Sequence, residues 1–176
     1  MPDIIAIIVL IVALTLWIKS VQRSLAVLDE NTNNAISQIG IQLSSLWHPL
    51  TSLLDLTKEY DVQEYVSLTG IIESRHFITK GSKPEDIEKQ ERIIAELVKR
   101  ILAAAESNPD LKANESYIKS MDAVNQYEKM INTSSLIYNE SANRFNRAIR
   151  RFPSSIIAGI LGFSKRAFLK GVDDGS

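Results

Sequence analysis

The stretch Ile4-Ile-Ala-Ile-Ile-Val-Leu-Ile-Val-Ala-Leu-Thr-Leu-Trp-Ile18 carries no charge and a single hydroxyl, Thr15. Beyond Lys19 the chain is polar, periodic and helix-like. So dense an apolar run ahead of an amphipathic chain predicts a lipid-seated helix that leads into a helical domain. Its length is at the lower edge for a span. Ile4 to Ile18 rises about 22 Å as a helix, against about 30 Å of bilayer hydrocarbon. Met1, Trp17 and the stem of Lys19 can lengthen the effective span, and local thinning can cover the rest. The competing reading is a core helix buried in protein.

The flanks bear on the choice. A secretory signal peptide carries positive charge before its apolar run and a small-x-small cleavage site after it. Here Met1, Pro2 and Asp3 lead, Lys19 and Arg23 follow, and Lys19 to Leu25 holds no such site. A retained anchor over residues 1–20 is therefore expected, in contact with the lipid bilayer through Ile4-Ile18. The basic flank after Ile18 favours an N-terminus outside and a helical domain in the cytoplasm, in a bacterial inner membrane or a comparable one. Asn-x-Ser sequons at Asn114, Asn132 and Asn139 would matter only in a glycosylating lumen.

Composition narrows the rest. Of 176 residues, those from 21 to 170 suffice for one domain with a core of ordinary size, leaving 171–176 as a flexible C-terminus. Net charge is −1, from 20 basic and 21 acidic residues, so no global field points to nucleic acid. Cysteine is absent, which removes disulfides, thiol catalysis and cysteine metal sites together.

Apolar residues recur at helical intervals immediately after the anchor: Leu25, Leu28, Thr32, Ala35, Ile39, Leu43, Leu46 and Leu50. Pro49 lies inside this run, and its missing donor and ring predict a kink or short break near Trp47-His48. Asp61-Val-Gln-Glu64 has capping-box spacing. A second helix can start there and bury Val62, Tyr65, Val66, Leu68, Ile71, Ile72 and Phe77; a single helix continuing past Asp61 is the rival. Lys80-Gly-Ser-Lys-Pro84 punctuates the chain, with Ser82 and Glu85 as a candidate cap and Pro84 in a first turn. The next helix buries Ile87, Ile94, Leu97, Ile101 and Ala104, and presents Glu88, Lys89, Glu91, Arg92, Glu96, Lys99 and Arg100 largely to solvent. Asn108-Pro109-Asp110 ends it.

A last long helix runs from about Glu115 to Phe152. Tyr117, Met121, Val124, Glu128, Ile131, Ser135, Tyr138, Ala142, Phe145, Ile149 and Phe152 follow a 4-3 alternation. It rises about 57 Å, enough to set the length of a bundle, with the helix leaving the membrane as its facing partner. No segment alternates with period two long enough to suggest a strand. The expected fold is all-α: an N-terminal transmembrane helix continuing into an antiparallel helical bundle.

Between Glu140 and Asp173 the chain has no acidic residue but carries Arg144, Arg147, Arg150, Arg151, Lys165, Arg166 and Lys170. These residues are a candidate patch for anionic lipid or an acidic protein face. Alternatively the C-terminal segment docks on the bundle, its basic rim complementing a helix C-terminus.

Constellations for chemistry are thin. Glu73-Ser-Arg-His76 has the Glu-x-x-His spacing of bundle di-iron ligands, but the second motif such a centre needs is missing. There is no G-x-S-x-G, phosphate loop or His-Glu-x-x-His. Glu128 is the acidic residue on the long stripe, and in a core it would need a partner or a raised pKa, as structural glue or the seed of a site. No cofactor is expected.

Asn108-Pro-Asp-Leu-Lys-Ala-Asn114 resembles a segment of the LemA family, small bacterial membrane-anchored helical proteins of unsettled function. Tyr138-Asn139, Phe145-Asn146, Ala148-Ile149, Phe152-Pro153, Ala158 and Gly162-Phe163 resemble that family's long helix and tail, and Glu128 falls on its glutamate. Gln42-Leu43, Tyr60, Glu64, Leu68 and Arg75 fit as well. The chain departs from the pattern at Ser44-Ser45, at His48 to Leu53, and at Met130 and Ser135, where the family has arginines. The resemblance implies a several-helix antiparallel bundle, an extracytoplasmic N-terminus and a cytoplasmic domain, without established catalytic residues. The expected function is a non-enzymatic membrane-tethered interaction or scaffold module whose partner is an unknown membrane or cytoplasmic protein. The alternatives are a membrane-shaping homo-oligomer, or an enzyme or metal protein using Glu128, Glu73 and His76.

Overall fold

The computed structural model describes residues 2–170; the expected flexible C-terminus, 171–176, lies outside the described residues. The fold is all-α among them, with α1 (Pro2–Tyr60), α2 (Val62–Glu73), α3 (Pro84–Ser107), α4 (Pro109–Ala113), α5 (Glu115–Arg150) and α6 (Ser154–Ile160).

α1 is a single helix from the apolar run into the bundle, and it does not break at Pro49. A proline inside a helix costs about 3 kcal/mol. Leu46, Leu50 and Leu53, one turn to either side, are fully buried, and each such side chain contributes about 1.5–3 kcal/mol. Packing therefore outweighs the lost backbone bond, and the break expected at Trp47-His48 is absent. The helix does end at Asp61, which alone separates α1 from α2 in an extended conformation and accepts from the Glu64 amide at 2.9 Å.

α5 packs along α1 in the opposite direction. Ser120 Oγ lies 3.3 Å from Ser52 Oγ at one end, and at the other Arg166, held by Asn146 of α5, reaches Asp29 and Asn33 of α1. Leu43, Leu46 and Leu50 of α1 and Val124, Ile131, Tyr138 and Ala142 of α5 belong to one buried core. α2 and α3 cover α1 on another side, closed by Leu68, Ile87, Leu97 and Ile101, all without exposed surface.

Several local expectations shift. Val62, Val66 and Phe77 are exposed rather than buried, because α2 turns only a narrow stripe around Leu68 towards α1 and ends four residues before Phe77. Glu64 does not return to its own cap; it grips Arg100 of α3 in a two-pronged pair at 2.8 Å and 2.8 Å. The start of α3 is capped one residue later than Ser82, with Asp86 accepting from the Lys83 amide at 2.9 Å while Ser82 Oγ accepts from Thr79. α5 stops at Arg150, since Pro153 disfavours helical backbone in the residue before it.

Two close fits hold the irregular segments. The loop between α2 and α3 crosses α1 at Gly40, where a methyl group would overlap the carbonyl oxygen of Ile78. After α6 the chain doubles back and lies along α5 as an extended strap. Asn146 accepts from the Arg166 amide at 2.8 Å and donates to its carbonyl at 2.9 Å. One heptad earlier Asn139 repeats the pattern with Leu169, at 2.9 Å and 3.1 Å. Tyr138 donates its hydroxyl to the Ala167 carbonyl at 2.7 Å, and burial raises its phenol pKa. Each asparagine thus satisfies both polar groups of one extended residue, as a neighbouring strand would.

Gly40→Ala is expected to destabilise the full-length protein in detergent by about 1–3 kcal/mol through overpacking. Gly70→Ala, where no neighbour lies within 4 Å, should stabilise α2 by about 0.5–1 kcal/mol; thermal unfolding of the pair checks both. Asn146→Ala leaves two backbone groups unpaired, a loss of about 1–3 kcal/mol. Hydrogen exchange should show the amides of Arg166 and Leu169 losing protection while those of α3 keep theirs.

Candidate functional site

α3 and α5 both rest on α1, and no Cα of one comes within 8 Å of a Cα of the other. A cleft of about 180 Å³ opens between them. Leu43 and Leu46 of α1 form its floor, Glu91, Ile94 and Ala95 of α3 one wall, and Glu128, Ile131 and Asn132 of α5 the other. It is smaller than the roughly 300–1,000 Å³ of drug-sized ligand sites, and suits an apolar side chain presented beside a cation.

The two carboxylates differ. Glu91, expected to face solvent, is half-buried, and burial followed by the nearby charge of Glu88 raises its pKa. Glu128, expected as a polar group in the core, stands exposed at the cleft mouth. Its stripe position is real, but at this level of α5 the stripe faces the gap beside α3 rather than another helix.

Glu73 and His76 do not share a helix face. α2 ends at Glu73, and His76 lies in the following loop with an exposed side chain. Its amide donates to Oε1 of Gln90 at 2.7 Å. Among the described residues no group of three or more His, Asp or Glu is placed to hold a metal ion. Gln90 is the residue the sequence reading passed over. It lies three residues beyond Ile87 and four before Ile94, so its place on the apolar stripe was visible, and it is fully buried.

The seven basic residues fall into separate environments. Arg166 is half-buried and structural, binding Asp29 at 2.7 Å and Asn33 at 2.9 Å. Arg144 pairs with Glu140 on its own helix. The amide of Lys170 donates to Glu88 at 3.1 Å, far along the strap. Arg147, Arg150, Arg151 and Lys165 are exposed and lack an ion-pair partner among the described residues. The first three cluster where α5 ends and α6 begins.

The raised pKa of Glu91 fixes the sign of a pH effect. Its folded state holds the proton more tightly than the unfolded chain does, so this residue favours folding at low pH and loses that contribution as pH rises through the folded pKa. Glu91→Gln should therefore raise the unfolding midpoint at neutral pH, and the gain should vanish on acidification; melting curves of both proteins across pH check this.

A comparison with curated proteins finds no match. The model of the LemA family matches residues 35–175. That span takes in the α1–α5 pairing, the cleft and the asparagine-held strap, and the chain belongs to the LemA family.

Proposed function

We propose that this protein is a membrane-tethered, non-enzymatic helical scaffold that presents a fixed interaction surface at one height above the bilayer. The observation that carries this reading is the unbroken α1. The same helix is an apolar, fully outward-facing run over Ile4 to Ile18 and the spine of the bundle from Leu25 to Leu54. The segment long and apolar enough to cross a membrane lies in this helix. Without a flexible linker, the orientation of the domain follows that of the anchor. The forty-two residues from Lys19 to Tyr60 rise about 63 Å, so the domain projects as a rod.

The polar groups of the bundle support a structural rather than chemical role. Glu64 and Arg100 join α2 to α3, and Arg166 joins the strap to α1. The cleft of Glu91 and Glu128 offers an acidic, partly apolar slot for a basic helical or loop segment of a membrane or cytoplasmic partner. Lys19 and Arg23 favour an N-terminus outside and a cytoplasmic domain in a bacterial inner membrane.

The cysteine-free sequence makes the orientation directly measurable. Ser107→Cys at the far end of α3 should react with a membrane-impermeant maleimide in inverted vesicles and not in right-side-out ones; the reverse pattern overturns the cytoplasmic placement. A photo-cross-linker at Glu128 in native membranes should give a repeated band of one foreign protein. A ladder of homo-oligomers instead points to membrane shaping by self-association, and a reproducible absence of adducts defeats the cleft as a docking site.

A further inference from the structure

The chain turns from α5 into α6 at the end of the bundle nearest the anchor. Register places it. Ser120 faces Ser52, and Asn146 lies level with Asp29 and Asn33 through Arg166. Counted along α5 from these two levels, Phe152 falls opposite the segment from Ser20 to Leu25. At 1.5 Å per residue that is about 3–10 Å beyond Ile18.

This corner exposes large apolar side chains. Phe152 is 77% exposed, Ile156 57% and Ile160 80%, while Ile157 and Ala158 of the same short helix are buried. Ile156 and Ile160 lie one turn apart on α6, with Phe152 in the turn just before it, so one face of α6 packs on the bundle and the other is exposed. Beside it stand Arg147, Arg150 and Arg151, without carboxylate partners among the described residues. Lys19 and Arg23 flank the same level on α1.

The length of the anchor decides what covers the corner. Ile4 to Ile18 falls about 8 Å short of the hydrocarbon thickness. A short span thins the bilayer or draws its flanking residues inward. Either way the headgroup layer reaches the level of Phe152, and amphipathic helices at such a surface bury their apolar face about 5–10 Å into the headgroup–acyl boundary. Basic side chains beside that face reach anionic headgroups.

We propose that the α5–α6 corner is a second membrane contact, in which Phe152, Ile156 and Ile160 seat in the interface of the leaflet that α1 leaves, and Arg147, Arg150 and Arg151 bind anionic headgroups. The proposal rests on α1 being the anchor. It fixes the rotation and tilt of the rod, which a single helix in lipid leaves open, and it assigns lipid contact to three of the seven basic residues rather than to the whole C-terminal segment.

Full-length protein in vesicles of phosphatidylcholine, with and without phosphatidylglycerol, tests it. A polarity-sensitive fluorophore is attached singly through Ile160→Cys, through Leu14→Cys inside the anchor, or through Ser107→Cys at the far end. The label at position 160 should show a blue shift and loss of emission to a shallow spin-labelled lipid, more strongly with phosphatidylglycerol. The addition of Arg150→Glu and Arg151→Glu should remove that anionic-lipid gain. The label at position 107 should remain water-like. Quenching at position 14 with water-like, unquenched emission at position 160 overturns the corner contact and leaves the anchor standing. Loss of quenching at both positions overturns the anchor as well. A blue shift at position 160 without quenching means that protein covers the corner, and also overturns the proposal.

Discussion

The structure depends on the seam between α1 and α5, where two long antiparallel helices share one apolar core. α1 lends that core its rigidity because it does not stop between lipid and domain. Leu46, Leu50 and Leu53 are fully buried around Pro49, so removal of the helix at that point would expose several large side chains. The proline is tolerated because its cost is local and the burial gain is distributed over neighbouring turns. From this follows the mechanical character of the molecule: the orientation of the anchor is transmitted directly to the bundle.

Several polar residues in this protein close irregular backbone. Asn139 and Asn146 occupy equivalent heptad positions on α5 and bind residues 169 and 166 of the strap through both amide and carbonyl. Arg166 then ties that strap to α1, and Glu64 with Arg100 ties α2 to α3. These charged pairs are partly shielded from water and geometrically constrained, which favours them over freely exposed ion pairs. Glu91 is the exception, a half-buried carboxylate whose charged form burial disfavours. Its place in a cleft between α3 and α5 makes that cleft the most chemically distinctive surface of the bundle.

The distribution of apolar surface separates two ends of the rod. Beyond the anchor itself, the corner around Phe152, Ile156 and Ile160 concentrates exposed hydrophobic groups at the anchor end of the bundle. The opposite end, around α4, buries Leu111 completely and presents a helix start capped by Asn114. The rod thus carries exposed apolar and basic side chains at its base and a well-capped tip at its other end.

The long helices, the anchor, the α1–α5 partnership and a cap at Asp61 were legible from the chain alone, because each follows from local periodicity or from a side chain acting on amides a few residues away. The continuity through Pro49 was not, since it is decided by burial against other helices. Nor could spacing show that Glu128 faces a gap: the stripe identifies a face of α5, but which neighbour stands opposite depends on how α3 and α5 share α1. The basic C-terminal run was visible as composition, yet only packing divides it into a structural Arg166, a helix-paired Arg144 and an exposed arginine cluster at the turn from α5 to α6. Short-range forces are written into the order of residues; long-range ones are settled by which surfaces meet, and those meetings assign each charge its role.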